Sequence, residues 1–572
     1  MSDYVELHAS SAFSFLRGAS LPENMAEEAA RLELRGLALL DRDGVYGAPR
    51  LYGAVREGGV RPIVGAEITM EDGSALPLLV MNQNGYRNLS RLISTAKLVE
   101  RTGAVVAEWQ AALKTAGALN GRLGEASLPD PRERKRPCYA TWRELEEHAD
   151  GLMALTGDEE GPVLRAWARG GAKETEAAMA RLEGIFGGDR LAVEVQRRRI
   201  RGETTTVNML ADLADARELP LVATGGVRYA TRGERPVADV FTCLRNHTTL
   251  DAAGRLLAPN GERHLRGAAD MRELFRDLPE AVANSGRLAE RLEFTLENLG
   301  YQFPDFPVGA GETMAGMLRA RVQEGARRKF GTVPKKISDQ IETELALIEE
   351  LKFCGYFLII WDICEWARQK GILIQGRGSA ANSVVCFALG ITAVNPTRYD
   401  LLFDRFLSRG RIGKGGHPSW PDVDLDLPSG DLREKVIQEV YQRYAPRGAA
   451  MVANVITYRG RSTMREVGKV LGFSEDVLDR FSALYGNGDF PHTLDVEKQV
   501  EMAGLPVTHP RLRAMLGLYH QIKGLPRHLG QHSGGMVLCP NHLDTVVPIE
   551  PASMEQRCVV QWDKDDCEEL GL

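Results

Sequence analysis

The chain has 572 residues, of which 44% are hydrophobic and 26% charged. That is the balance of a folded soluble protein and excludes a disordered chain, a collagen-like repeat and a coiled-coil rod; at about 150 residues per domain it allows three or four domains. The 71 Lys and Arg against 78 Asp and Glu leave a net charge of −7, which excludes a blanket of positive charge but not a local basic groove.

Along the chain, residues 1–16 carry acidic side chains early and no apolar run of signal-peptide type. No stretch of 18 apolar residues follows anywhere, so no membrane span is expected. Residues 24–35 have the period of an amphipathic helix, with Pro22 near its start. Residues 60–70 and 76–81 read as strands, and this alternation predicts an α/β layer or barrel. Residues 115–137, rich in Gly, Pro and charge, read as a surface loop. Strand patterns resume at 151–155 and 219–227, residues 267–300 look mostly helical, and Pro304 and Pro307 mark a break. Helices are expected over 314–329 and 338–351. The eight cysteines, Cys138, Cys243, Cys354, Cys364, Cys386, Cys539, Cys558 and Cys567, form no Cys-x-x-Cys pair. They read as reduced thiols of a cytoplasmic protein rather than as a zinc site.

Chemistry concentrates between residues 372 and 465. In Pro421-Asp422-Val423-Asp424-Leu425-Asp426-Leu427, acidic and apolar residues alternate with period two. A strand would show three carboxylates on one face and put Val423, Leu425 and Leu427 into a core. Carboxylate oxygens suit Mg²⁺, whereas an edge strand guarded by charge is the plainer alternative. Upstream, Gln375-Gly376-Arg377-Gly378-Ser379 follows a possible strand at 372–374, and its small residues let backbone N–H groups approach an anion. A Gly-x-Gly is more often only a tight turn, and no Walker A lysine follows. Residues 405–469 hold 12 Lys and Arg against 7 Asp and Glu. Arg409, Arg411 and Lys414 precede the acidic run, and Arg459, Arg461 and Arg465 follow it in a helical pattern. This is a phosphate-positioning surface or a solvated helix face.

Taken in order, Gly376 to Ser383, Leu401 to Leu407 and Pro421 to Asp426 resemble the palm of the bacterial C-family DNA polymerases, which include the replicative polymerase III alpha subunit. Tyr4 to His8, Phe13 to Ser20, residues 37–48, 62–67 and 219–229 resemble that family's N-terminal PHP (polymerase and histidinol phosphatase) domain. His417 to Trp420, Asp424 to Asp431, Ala453 to Ser462 and Arg527 to Gly535 are similar to its error-prone branch. His528 and His532 in the last motif lack the Glu of the zinc-protease helix and read as a loop-and-strand element.

The resemblance implies an α/β fold: a PHP-like barrel over 1–285, a palm of mixed sheet and helices over 286–455 and 526–572, and a helical thumb over 456–525. It implies transfer of a nucleotide from a dNTP to a primer 3′-hydroxyl on primer–template DNA, with two Mg²⁺ ions at Asp422 and Asp424. Asp426 shares their face with less family support. Gly378, Ser379 and Arg459 would bind nucleotide, and Arg409, Arg411, Lys414, Arg461 and Arg465 would bind DNA or phosphate. Damage-induced synthesis past lesions, a sliding clamp and mutagenesis accessory proteins belong to the same implication. Active PHP domains gather His, Asp and Glu around metals. Here His8, Asp41 and Glu67 remain and alone fall short of a multinuclear site, because the other matching positions read Ser10, Arg42 and Gly225-Gly226-Val227-Arg228. Guanidinium groups cannot ligate metal. No metal and no proofreading exonuclease are therefore expected in this domain, with His8 a hydrogen-bonded core residue. The alternatives are the replicative alpha subunit, a PHP phosphoesterase, and a non-catalytic DNA-binding or scaffold fragment. The family's third catalytic Asp lies just beyond a point matching Leu572, so the chain reads as an N-terminal fragment, inactive by itself.

Overall fold

The structure, a computed structural model, describes residues 4–572 except 57, 101–137, 400, 402, 409–419, 485–499, 502, 505 and 507. The loop expected at 115–137 lies outside the described residues. Two compact units emerge: residues 1–299, 452–533 and 547–566 form the first, and 300–451, 534–546 and 567–572 the second.

The first unit is built on seven strands: β1 (Glu6–Ala9), β2 (Gly36–Arg42), β3 (Arg61–Thr69), β4 (Ala75–Val80), β5 (Leu152–Leu155), β6 (Leu191–Gln196) and β7 (Leu221–Thr224), hydrogen-bonded in chain order. Pairing is parallel except where β4 meets β3 and β5. The sheet nearly closes on itself. Ser10 N donates to Val227 O and Val227 N to His8 O, both at 2.9 Å. Strand alternation sorts the side chains. Leu7, Leu40, Ile63, Met153 and Val222 join a core with Leu288 and Leu292, while Glu6, His8, Glu67 and Glu194 are buried polar residues. Helix Pro22–Arg31 stops four residues before the expected 35, because Glu33 takes a φ of +53° and breaks the helical path. Over 267–300 only Ala268–Leu274 and Pro279–Ala289 are helical. Pro279 starts a new helix, since it lacks the N–H that a continuing one needs.

Residues 456–525, expected as a thumb, share a core with the N-terminal region. Met464, Val467, Met515 and Ile522 pack with Val237, Val240 and Phe241 of helix Arg235–Arg245. Phe241 stacks on Tyr458 at 5.7 Å. Strands β10 (Ala449–Thr457), β11 (Pro526–Leu538), β12 (Ile549–Pro551) and β13 (Cys558–Asp563) form a sheet ordered β11-β10-β13-β12. Within the first unit, Trp562 Nε1 donates to Val45 O at 3.1 Å, and Lys97 meets Glu550 at 2.9 Å.

The second unit is mainly helical. Helices Met314–Phe330, Lys335–Glu350, Cys354–Gln369 and Val384–Leu389 enclose one core, with Phe353, Phe357, Val385 and Phe406 inside. Helix Asp431–Arg443 covers a second core beside Ile359 and Ile363. Two strands, β8 (Gln375–Arg377) and β9 (Asp424–Asp426), pair at its surface. No helix among the described residues is long and apolar enough to cross a membrane.

Gly325 lets the first of these helices approach Val384–Leu389, because a Cβ there would lie 2.0 Å from Ala388 O. In an open helix, Gly→Ala is stabilising by about 1 kcal/mol. Here Gly325→Ala is expected to destabilise by about 1–3 kcal/mol through overpacking. A lowered urea midpoint checks this, and a raised one contradicts it.

Candidate functional site

The β8–β9 ladder sets Gln375 opposite Asp426, Gly376 opposite Leu425 and Arg377 opposite Asp424. The strand expected at 372–374 thus forms three residues later, where its partner strand lies. Asp422, Asp424 and Asp426 are exposed, while Val423, Leu425 and Leu427 are half-buried and pack on the cores. The approach to β9 is anchored by Trp420, whose ring centroid lies 5.1 Å from those of Phe303 and Phe353. Tyr356 Oη donates to the carbonyl of Pro421.

The turn after β8 lies against the acidic run. Gly378 has φ +62°, and a Cβ there would sit 3.5 Å from Asp424 Oδ2. A side chain would strain the backbone at that φ and narrow the approach to the carboxylate. Ser379 Oγ donates to Asp422 O at 3.3 Å. Arg377 Nε lies 3.0 Å from Asp426 Oδ1. Both side chains are about 60% exposed, so this pair adds no more than about 1 kcal/mol. It does occupy Asp426, whereas no ion pair to Asp422 or Asp424 forms among the described residues.

Glu344 holds this turn from beneath and carried no functional reading in the sequence. Its carboxylate is fully buried and accepts from Ser383 Oγ at 2.7 Å, Val384 N at 3.1 Å and Val385 N at 3.0 Å. Burial raises its pKa, and these hydrogen bonds oppose the rise. The signal was a charge on an apolar helical stripe, at position 344 among Ile337, Ile341 and Ile348.

The site residues therefore divide. Asp422, Asp424, Gly378 and Ser379 come together in the second unit. Arg409, Arg411 and Lys414 lie outside the described residues. Arg459, Arg461 and Arg465 belong to the first unit, at the start of helix Gly460–Val470. There Arg459 is exposed, Arg461 Nε donates to Ser482 O at 3.0 Å, and Arg465 pairs with Asp479. His528 and His532 lie on strand β11, where four residues span about 13 Å, too far for one ion to bridge.

In the barrel, Glu67, Asp158 and Glu160 bring carboxylate oxygens within 4.8 Å of one another, the one such cluster among the described residues. Asp158 and Glu160 escaped the sequence reading, although the acidic run at 158–160 directly follows a strand. Arg42 lies 2.8 Å from Glu67 and 2.6 Å from Glu160. Arg228 approaches Glu67, Asp158 and Glu160 at 3.6–3.9 Å. His8 Nδ1 meets Glu194 Oε1 at 2.7 Å, and its Nε2 lies 3.7 Å from Glu67. Burial disfavours a charged imidazole, but the Glu194 and Glu67 carboxylates outweigh it and raise the His8 pKa to about 10. An imidazolium flanked by guanidinium groups is a poor donor set, and these residues do not fit a multinuclear metal centre.

A nearly closed strand barrel in the first unit and, in the second, a surface strand pair that shows carboxylates beside a Gly-Ser turn define a two-part protein. Residues 6–198 match the PHP domain, and residues 316–572 the domain described as bacterial DNA polymerase III alpha NTPase. Over its whole length the chain is 41% identical to an error-prone DNA polymerase of Mycolicibacterium paratuberculosis, 40% to that of Mycobacterium tuberculosis H37Rv and 39% to that of Pseudomonas aeruginosa. It covers 49%, 48% and 50% of those proteins, so the chain spans about half the length of the curated relatives it matches. Residues 6–198 thus belong to the PHP domain family and residues 316–572 to the bacterial DNA polymerase III alpha domain family.

Because the His8 pKa is raised on folding, its stabilisation is complete below the unfolded value of about 6.5. It is lost as pH rises towards about 10. Thermal unfolding followed from pH 6 to 10 should show a decline in Tm that is shallower in His8→Gln. Parallel curves for the two proteins would contradict the charged imidazolium.

Proposed function

We propose that the full-length protein containing this chain is a template-directed DNA polymerase of the error-prone branch, which extends a primer 3′-hydroxyl with dNTPs past damaged template. The observation that carries this reading is the β8–β9 pairing, which brings Gly378 and Ser379 against Asp424 and Asp422. Asp422 and Asp424 are two exposed hard-oxygen groups, a donor set that fits Mg²⁺. When bound there, Mg²⁺ supplies a low-pKa primer hydroxyl and neutralises charge on the leaving pyrophosphate.

The chain's own residues do the positioning. The backbone at Gly378 is open to an anionic triphosphate, and Ser379 adds a hydroxyl beside it. Arg377, held by Asp426, places a cation on the same surface. Arg459, Arg461 and Arg465, with Arg409, Arg411 and Lys414, neutralise phosphates of nucleotide and DNA. Template pairing selects the base, so the protein contributes mainly alignment and electrostatics. A barrel without a metal-competent donor set removes one source of proofreading, which suits low fidelity. The eight free thiols suit a cytoplasmic location. A sliding clamp and mutagenesis accessory proteins are the partners proposed for the whole protein. The names of the relatives favour the error-prone branch over the replicative subunit.

In the full-length protein, Asp424→Asn should reduce primer extension by at least a thousandfold while DNA affinity, read by fluorescence anisotropy, changes less than about threefold. Extension at the wild-type rate would overturn the assignment.

A further inference from the structure

The carboxylates of the barrel mouth pose a charge problem that their surroundings solve without a metal. Glu67 and Asp158 are 1% exposed, and Glu160 joins them within 4.8 Å. Glu160 is 39% exposed, but the two buried acids, so close to each other and to a third, repel strongly and need cations among them. Five arginines reach them. Arg42 bridges Glu67 and Glu160, and Arg228 touches all three acids. Arg263 lies 3.2 Å and Arg198 3.6 Å from Asp158, and Arg17 lies 3.1 Å from Glu160. Arg42, Arg228 and Arg263 are themselves only 8–12% exposed. They belong to the interior, not to a solvated rim.

We propose that guanidinium groups stand in for metal ions in this barrel, with Arg42 and Arg228 as the resident cations of a carboxylate cluster that becomes a divalent-cation site when they are removed. Three observations agree. The acids are gathered as closely as ligands around an ion. Arg42 and Arg228 stand at two positions where the PHP pattern, by the resemblance given above, calls for ligands. Glu67 Oε1 is buried, has no hydrogen-bond partner among the described residues and faces the His8 ring at 3.7 Å. A guanidinium is planar and always charged, so the lattice needs neither a bound ion nor a particular pH in the physiological range. The barrel then persists under chelation, where a metal-built barrel would loosen.

The test compares thermal unfolding in EDTA with unfolding in MnCl₂, in an Asp424→Asn background so that the palm does not respond. The parent should unfold at the same temperature in both. Arg42→Ala should unfold several degrees lower in EDTA and recover part of that loss in Mn²⁺. Adding Glu67→Gln should abolish the recovery. Arg228→Ala, whose contacts are longer, is the milder variant should Arg42→Ala not fold, and should show a smaller Mn²⁺ shift. A parent whose Tm rises in Mn²⁺ and loses that rise with Glu67→Gln would overturn the proposal. So would Arg42→Ala and Arg228→Ala variants that both ignore Mn²⁺.

Discussion

The candidate site depends on six residues, the antiparallel pairing of Gln375–Arg377 with Asp424–Asp426. So short a ladder is not stable by its own hydrogen bonds, since even complete two-stranded hairpins are marginal in water. Its geometry comes from what lies beneath. Trp420 fixes the entry to β9 within an aromatic cluster, and Val423 and Leu425 rest on the core. On the other strand, Glu344 gathers the backbone N–H groups at the start of Val384–Leu389 and so holds the turn that carries Ser379. The exposed carboxylates are thus positioned by buried groups.

The chain holds two acidic clusters and treats them oppositely. On β9, carboxylates two residues apart lie about 7 Å from each other in water, where their repulsion is about 0.6 kcal/mol. So weak a repulsion requires no resident partner, and in the proposed function it leaves them open to a cation that arrives with nucleotide. In the barrel the separation falls within 4.8 Å, and at the lower effective dielectric of a protein interior the repulsion between the buried Glu67 and Asp158 reaches about 3 kcal/mol. That cluster cannot wait for a partner, and the fold supplies permanent ones in Arg42 and Arg228. The exposed acids remain available for chemistry, whereas the buried ones have become structure.

Much of this was legible in the sequence. The period-two alternation of Asp422 to Leu427 gave both the outward carboxylates and the inward apolar face, because a strand has only two sides. The arginines at 42 and 228 already spoke against ligation. Three features were not legible. The register of β8 depends on a partner strand almost 50 residues away in sequence, so the expected 372–374 missed it. The packing of 456–525 against helix Arg235–Arg245 is a long-range contact with no local signature. Asp158 and Glu160 lie in a turn, and only the folded, nearly closed barrel brings them to Glu67.

The measurement that bears most directly on this division of labour is affinity cleavage, with Fe²⁺ replacing Mg²⁺ and ascorbate generating radicals at the bound ion. Backbone cuts are expected near residues 376–379 and 422–426, with none near 67 or 158–160. Cuts at the barrel residues, or none at the palm strands, would contradict the assignment of the palm carboxylates to the metal and of the barrel carboxylates to arginine.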